Sequence, residues 1–195
     1  MGVQKPLVLV VGGATASGKT GTALCLAQRL NGEIISADSM QIYRGLDIGT
    51  AKATPSEQQM VPHHLIDRLS PGEAFSVADF QAEALAAIRD ILSRGRLPIV
   101  CGGTGQYISA LMDHLTFSPM PADANLRTLL EQQAEEPEGA ERLLDQLRSV
   151  DPETAAKLHV NNIKRLIRAL EVFQLTGRSL SEWNRASHTV PAPYQ

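Results

Sequence analysis

The run Gly13-Ala14-Thr15-Ala16-Ser17-Gly18-Lys19-Thr20 constrains this chain more than any other. It fits G-x-x-x-x-G-K-[ST], a phosphate-cradling P-loop, and such a loop works between a buried strand and a helix start. Both flanks are present. Pro6-Leu7-Val8-Leu9-Val10-Val11 is a continuous apolar, β-branched run that predicts a buried strand. Past the loop, Ala23, Leu24, Ala27 and Leu30 fall on one face of a predicted helix. There, successive backbone N–H groups converge at the positive helix end, Lys19 reaches outer phosphates, and the Thr20 hydroxyl can hold Mg²⁺. A plain glycine turn is the alternative. The pattern leaves open which phosphate compound binds.

The first two thirds alternate strand and helix. Glu33-Ile34-Ile35-Ser36-Ala37 predicts a second strand ending at Asp38, and His63-His64-Leu65-Ile66-Asp67 a short third. Ser76-Val77-Ala78-Asp79 resembles a capping box and opens a helix through Phe80, Leu85, Ile88, Ile91 and Leu92 to a stop at Gly95. Leu97-Pro98-Ile99-Val100-Cys101 is a further strand, followed by Gly102-Gly103-Thr104-Gly105 and a helix through Tyr107, Ile108 and Leu111. This alternation predicts an α/β fold, a mostly parallel P-loop NTPase-like sheet flanked by helices on both faces. Ligands in such sheets bind at strand carboxyl ends, so the P-loop, Asp38 and the 102–105 turn are expected on one rim. From Pro119 the strand signal stops. Residues 123–134, 139–149 and 161–175 read as helices, with Asp151-Pro152 as a helix start and a stop near Gly177. The expected division is a P-loop core over 1–118, a helical insertion or lid over 119–158, and a helical return to the core over 159–195. The closing Thr189–Gln195 stretch reads as a connection.

With 195 residues, 43% hydrophobic and 20% charged, the composition suits one α/β domain with a modest addition. Aromatics at 4% argue against RRM-type base stacking. No apolar run approaches the ~18 residues that span a bilayer, the first strand begins too early for a signal peptide, and Pro6 spoils a myristoylation start at Met1-Gly2. Cys25 and Cys101 read as buried small hydrophobes. A cytoplasmic enzyme is expected. Net charge is −3, yet residues 131–153 carry eight acids and two arginines while 157–188 carry six bases and two acids. On charge alone the asymmetry reads as two solvated helix faces of opposite sign; a local polyanion site is the alternative.

Asp38, facing a P-loop, has three readings: holding Mg²⁺ through water, acting as general base toward a second substrate, or capping the following turn. Asp67 precedes Arg68, which predicts a surface pair. Thr104 offers a hydroxyl in a glycine turn. His63 and His64, adjacent in a strand, point to opposite faces, which disfavours joint metal ligation.

These segments together resemble one family, the tRNA dimethylallyltransferases (tRNA isopentenyltransferases). The resemblance rests on residues 13–20, on Ile35-Ser36-Ala37-Asp38-Ser39-Met40-Gln41-Ile42-Tyr43-Arg44-Gly45-Leu46-Asp47-Ile48-Gly49-Thr50-Ala51-Lys52, and on Val61-Pro62-His63-His64-Leu65-Ile66-Asp67. Phe75-Ser76-Val77-Ala78-Asp79-Phe80, Gly102–Gly105, Ala122-Asp123 with Arg127, and Arg165 to Val172 complete it. It implies a P-loop that holds the diphosphate of dimethylallyl diphosphate rather than ATP as a fuel. The dimethylallyl group then goes to the N6 amine of an adenine beside the tRNA anticodon. Under it, Gly13, Ala14, Thr15, Ala16, Ser17, Gly18, Lys19 and Thr20 bind the diphosphate, Mg²⁺ sits near Thr20, and Asp38, Lys19 and Thr20 are catalytic, with Asp38 taking the amine proton. Asp38, Ser39, Met40, Gln41, Thr104, Arg127, Lys164, Arg165, Leu166, Ile167 and Arg168 contact tRNA. A monomer with tRNA and dimethylallyl diphosphate as partners, and no membrane, is implied.

The chain departs from the family at Ala14, where proline is usual, at Gln106, where leucine is usual, and over His159-Val160-Asn161-Asn162-Ile163-Lys164. Family members also run longer, into a segment with a further diphosphate-binding arginine, so a fragment that binds without turnover is one rival reading. The others are an adenylate isopentenyltransferase that uses free AMP or ATP as acceptor, and a P-loop kinase of a small molecule.

Overall fold

The structure is a computed structural model and describes residues 5–113, 115, 123–187, 192, 194 and 195. Met1 to Gln4, the division expected at 118, Ala122 and the stretch 188–191 lie outside the described residues. The chain separates into two compact units, Met1–Leu115 with Pro191–Gln195, and Thr116–Val190.

The first unit holds a four-stranded parallel sheet in the order β1-β4-β2-β3: β1 Leu9–Gly12, β2 Gly32–Ser36, β3 His63–His64 and β4 Leu97–Gly102. Among its described residues it has four helices: α1 Lys19–Leu30, α2 Pro55–Met60, α3 Val77–Ser93 and α4 Gly105–Met112. Neighbouring strand residues divide between two cores. Ile34 and Ile99 meet Ala23, Leu24 and Ala27 of α1, whereas Ile35 and Val100 meet Phe80, Ala84 and Ile88 of α3 and Leu111 of α4. Period-two alternation in a sheet covered on both faces produces that division. Phe80 and Tyr107 stack with ring centroids 4.1 Å apart, fastening α3 to α4.

The strand expected over 63–67 stops at His64. Leu65 and Asp67 take positive φ of 58° and 53°, a conformation that leaves the pleat. Asp67 does not pair with Arg68; its carboxylate meets Lys52 Nζ at 2.5 Å, and Arg68 approaches Glu83 at 3.7 Å. His63 and His64 diverge as expected: His63 Nδ1 meets the Val61 carbonyl and His64 Nε2 meets Glu33. Glu33 is 1% exposed and also receives Arg94 and Arg96. Cys25, expected inside, is exposed on α1, and Cys101 is half-buried; both are free. Near the end, Gln195 N–H donates to the Pro6 carbonyl at 2.9 Å and its carbonyl accepts from Val8 N–H at 2.8 Å, while Tyr194 is buried against Leu111.

The second unit is helical among its described residues: α5 Ala124–Glu135, α6 Gly139–Val150, α7 Pro152–Ala155, α8 Ile163–Thr176 and α9 Leu180–Ser187. Leu130 of α5, Leu143 and Leu147 of α6, and Leu166, Ile167 and Leu170 of α8 form its core. Asp151 caps α7 through Thr154 N–H, and its other oxygen accepts Ser181 N–H at 3.0 Å, tying α7 to α9. No described helix is long and apolar enough to cross a membrane.

Candidate functional site

The loop between β1 and α1 is shaped for an anion. Ala16 and Gly18 have φ of 62° and 80°, and Gly18 is the residue that caps α1. Glycine takes that left-handed conformation without strain, and the turn opens the first N–H groups of the helix to solvent. No acidic side chain stands in the first turn to neutralise them. The Gly103 backbone comes so close that a Cβ there would sit 3.2 Å from the Gly13 carbonyl. Lys19 Nζ donates to the Ala14 carbonyl, so the ammonium already lies folded over the loop.

Asp38 follows β2 by two residues, and its Oδ1 accepts Met40 N–H at 2.9 Å, an Asx-type turn. That turn is pinned from β4. Thr104 N–H donates to the Ala37 carbonyl at 3.1 Å, and Thr104 Oγ1 accepts Ser39 N–H at 3.0 Å. Gly102 permits the approach, because a Cβ there would lie 2.1 Å from the Ala37 carbonyl oxygen. Gln41 braces the next stretch: its Oε1 accepts the Ser36 hydroxyl at 2.8 Å and its Nε2 donates to the Thr50 carbonyl at 3.0 Å. Met40 is left 48% exposed.

The P-loop residues Thr15 to Thr20, Asp38 and Gln41 line one open cavity of about 410 Å³. Its wall is completed by Thr50 to Lys52, Glu57, Cys101 and Gly102. Lys52 was no expected site residue, yet its buried ammonium donates to the Tyr43 carbonyl at 2.8 Å, Asp47 at 2.7 Å and Asp67. Burial pulls its pKa down and the two aspartates outweigh that, so it is held above the usual lysine value. Burial pushes the Cys101 thiol up, which disfavours its thiolate form. Among the described residues no three His, Cys, Asp or Glu converge on a metal site. The oxygen donors Thr20 and Asp38 suit a magnesium ion carried mainly by phosphate oxygens and water.

The second unit gathers its expected residues differently. Arg127 of α5 and Arg168 of α8 both donate to Glu171, which is fully buried. Burial raises the Glu171 carboxyl, and the bonds from Arg168 and Arg127 outweigh it and hold it below the usual carboxylate range. Lys164 and Arg165 are exposed. Leu166 and Ile167, at 0% and 3% exposure, face the helical core, so their side chains are withheld from any ligand. Glu171 was missed because its partners Arg127 and Asp123 sit 44 and 48 residues away in sequence.

A protein-family model described as IPP transferase matches residues 41–195. The chain belongs to the IPP transferase family. A tRNA dimethylallyltransferase of Geobacillus thermodenitrificans is 54% identical over 178 residues, covering 91% of this chain and 56% of its own length. That of Heliobacterium modesticaldum is 49% identical, with 96% and 58% covered. Among solved structures, the full-length tRNA isopentenylpyrophosphate transferase of Bacillus halodurans is 50% identical with a TM-score of 0.57, covering 90% of this chain and 57% of that one. A eukaryotic dimethylallyltransferase acting on tRNA is 31% identical with a TM-score of 0.81, covering 97% and 46%. The chain thus spans less than three fifths of these relatives. Likeness to them carries the P-loop α/β fold expected from the sequence.

Proposed function

We propose that this IPP transferase chain moves the dimethylallyl group of dimethylallyl diphosphate to the N6 amine of the adenine beside the tRNA anticodon. The observation that carries the reading is one cavity lined by the phosphate loop, the carboxylate of Asp38 and Gln41. The relatives named above, called tRNA dimethylallyltransferases, support the choice of donor and acceptor.

On this reading the N–H groups of the α1 start and Lys19 bind the diphosphate, Lys19 exchanging the Ala14 carbonyl for a phosphate oxygen. Thr20 would hold Mg²⁺, which adds positive charge beside the departing diphosphate when bound. A carboxylate is too weak a base to deprotonate an adenine amine outright. The allylic C1–O bond therefore loosens first, the electron pair leaving with diphosphate, which the N–H groups and Lys19 stabilise. The N6 lone pair then forms the C1–N6 bond, and Asp38 takes the N6 proton as its acidity develops. The adenine must leave its stack to reach the cavity. Ser39, Met40 and Gln41, with Thr104 behind them, form its seat, and Arg127, Lys164, Arg165 and Arg168 meet the RNA backbone. The reading includes a monomer working in the cytoplasm.

The test is transfer from labelled dimethylallyl diphosphate to unmodified tRNA with Mg²⁺, read by nucleoside mass analysis, with AMP as parallel acceptor. Dimethylallyl-adenosine from tRNA alone is expected; product from AMP, or none from either, overturns the acceptor or the activity. Asp38→Asn should lower transfer by about 10²-fold or more with donor affinity nearly intact, and retained turnover would remove Asp38 as base.

A further inference from the structure

Arg127 and Arg168 do not stand alone on the surface. Arg127 Nη2 and Arg168 Nη1 donate to the same oxygen, Oε2 of Glu171, at 2.8 Å and 2.9 Å. The triangle rule places those two nitrogens less than about 6 Å apart, two like charges from two different helices. Glu171 is 0% exposed, while the two arginine side chains are 41% and 40% exposed. The other carboxylate oxygen, Oε1, accepts Asp123 N–H at 3.0 Å, and Asp123 caps α5. One buried carboxylate thus fixes the α5 start and both guanidiniums, with each arginine spending one nitrogen on it and turning the remainder to solvent. Lys164, Arg168 and Glu171 fall on one stripe of α8 by their spacing of four and three. Among the described residues neither Lys164 nor Arg165 has an ion-pair partner.

A buried ion pair is a poor stabiliser, since desolvation offsets most of its Coulombic gain. What a shared carboxylate does provide is fixed geometry: it cancels the repulsion between two guanidiniums and holds their planar forks in place. We infer that Glu171 is a positioning residue, which presents Arg127 and Arg168 as a preformed two-pronged clamp for the phosphodiester backbone of an RNA. The inference rests on the proposed reading that this face meets tRNA, and goes beyond it by giving a buried acid a role in binding a polyanion.

The sign of one substitution separates this from plain electrostatics. If charge alone mattered, Glu171→Gln would remove an anion beside two arginines and tighten RNA binding. If Glu171 positions the clamp, the same change weakens it. The experiment is fluorescence anisotropy of the 195-residue chain with labelled unmodified tRNA over a range of salt concentrations. For each phosphate that is no longer neutralised, binding should weaken about five- to eightfold near 0.1 M salt and the salt slope should fall by about 0.7–0.9. A merely structural role would leave that slope unmoved among folded molecules. Unchanged or tighter binding with an unchanged slope overturns the inference. Should Glu171→Gln fail to fold, Arg127→Lys and Arg168→Lys decide: both keep the charge and lose the fork, so weaker binding supports the clamp and wild-type binding overturns it. The double variant Lys164→Ala, Arg165→Ala tests the footing. If it binds tRNA like wild type, this face does not meet RNA and both readings fall; if it binds weakly while Glu171→Gln does not, only the positioning role falls.

Discussion

Replacing Glu33 by glutamine should cost the first unit about 3 kcal/mol at neutral pH, and the structure supplies the arithmetic. The carboxylate is 1% exposed and receives both Nη atoms of Arg94, Nη1 of Arg96 and Nε2 of His64. The Arg94 bonds, opposed by burial and helped by His64, lower its pKa from 4.5 to about 2. A gap of that size corresponds to roughly 3 kcal/mol, each pKa unit being about 1.36 kcal/mol. Because the folded-state value is depressed, this stability is fully present above the unfolded value of 4.5 and is lost as pH falls through about 2. Arg94 and Arg96 are 40% and 39% exposed, so in the variant they turn to water, which keeps the loss at the lower end of the ~3–5 kcal/mol for a broken buried pair. The only tryptophan, Trp183, lies in the helical unit, so its fluorescence reports on the wrong part of the chain. Hydrogen exchange at the β2 and β4 amides is the suitable assay, and it should quicken about a hundredfold in the variant at neutral pH. The difference from wild type should shrink as the pH approaches the folded-state value. Protection within about a factor of five of wild type, or a pH dependence parallel to it, would refute the assignment of this network as a stabilising one.

Two further substitutions probe the rim. Gly102→Ala should destabilise the first unit by about 3 kcal/mol, because its Cβ would lie 2.1 Å from the Ala37 carbonyl oxygen; β2 and β4 amide exchange reads it, and a change below about 1 kcal/mol would show that the strands part easily. Lys52→Met should cost about 1–3 kcal/mol by orphaning the Tyr43 carbonyl and unpairing Asp47 and Asp67. Since the folded-state pKa of Lys52 is raised above 10.5, its contribution is complete below that value and lost as pH rises through the folded one. The variant should therefore lack part of the alkaline destabilisation of wild type, as followed by urea unfolding monitored by circular dichroism.

What the sequence revealed was whatever has a local cause. The P-loop, the strand before Asp38 and the strand before Gly102 are written in contiguous apolar runs and glycine turns, and the Ser76–Asp79 capping box marks the start of α3. Helices α2 and α9 were missed although each carries its own signal: Thr54 and Glu57 form a capping box with Pro55 at the first position, and Ser179 and Glu182 exchange the same bonds. The end of β3 was misjudged because left-handed Leu65 and Asp67 have no glycine to announce them. Lys52 and Glu171 escaped for another reason. Each is a charged side chain whose burial depends on partners brought together by tertiary folding, and beyond the Arg168–Glu171 spacing of three on α8 no local rule anticipates those.

The wiring of β2 predicts that the stability of the sheet and the order of the rim at Asp38 can be altered separately. Glu33 and Asp38 are five residues apart along an extended strand and its continuation, about 16 Å, so the arginine network and the phosphate rim occupy opposite ends of one element. The far end is held by a buried ion cluster. The rim end is held by Thr104 against Ala37 and Ser39, and past Asp38 the chain to Lys52 contains no regular helix or strand. Residues 41–44 of that stretch are held by backbone bonds to residues 67–69, and the remainder to Lys52 by Gln41 and Lys52, whose side chains donate to the Thr50 and Tyr43 carbonyls. Elements held this way open at lower free energy than the core strands. Glu33→Gln should thus loosen the whole sheet while leaving the Asp38–Thr104 region formed in folded molecules. Lys52→Met should do the reverse, raising exchange over residues 43–52 far more than in β4. Equal acceleration in both places would mean that rim and sheet open as one cooperative unit.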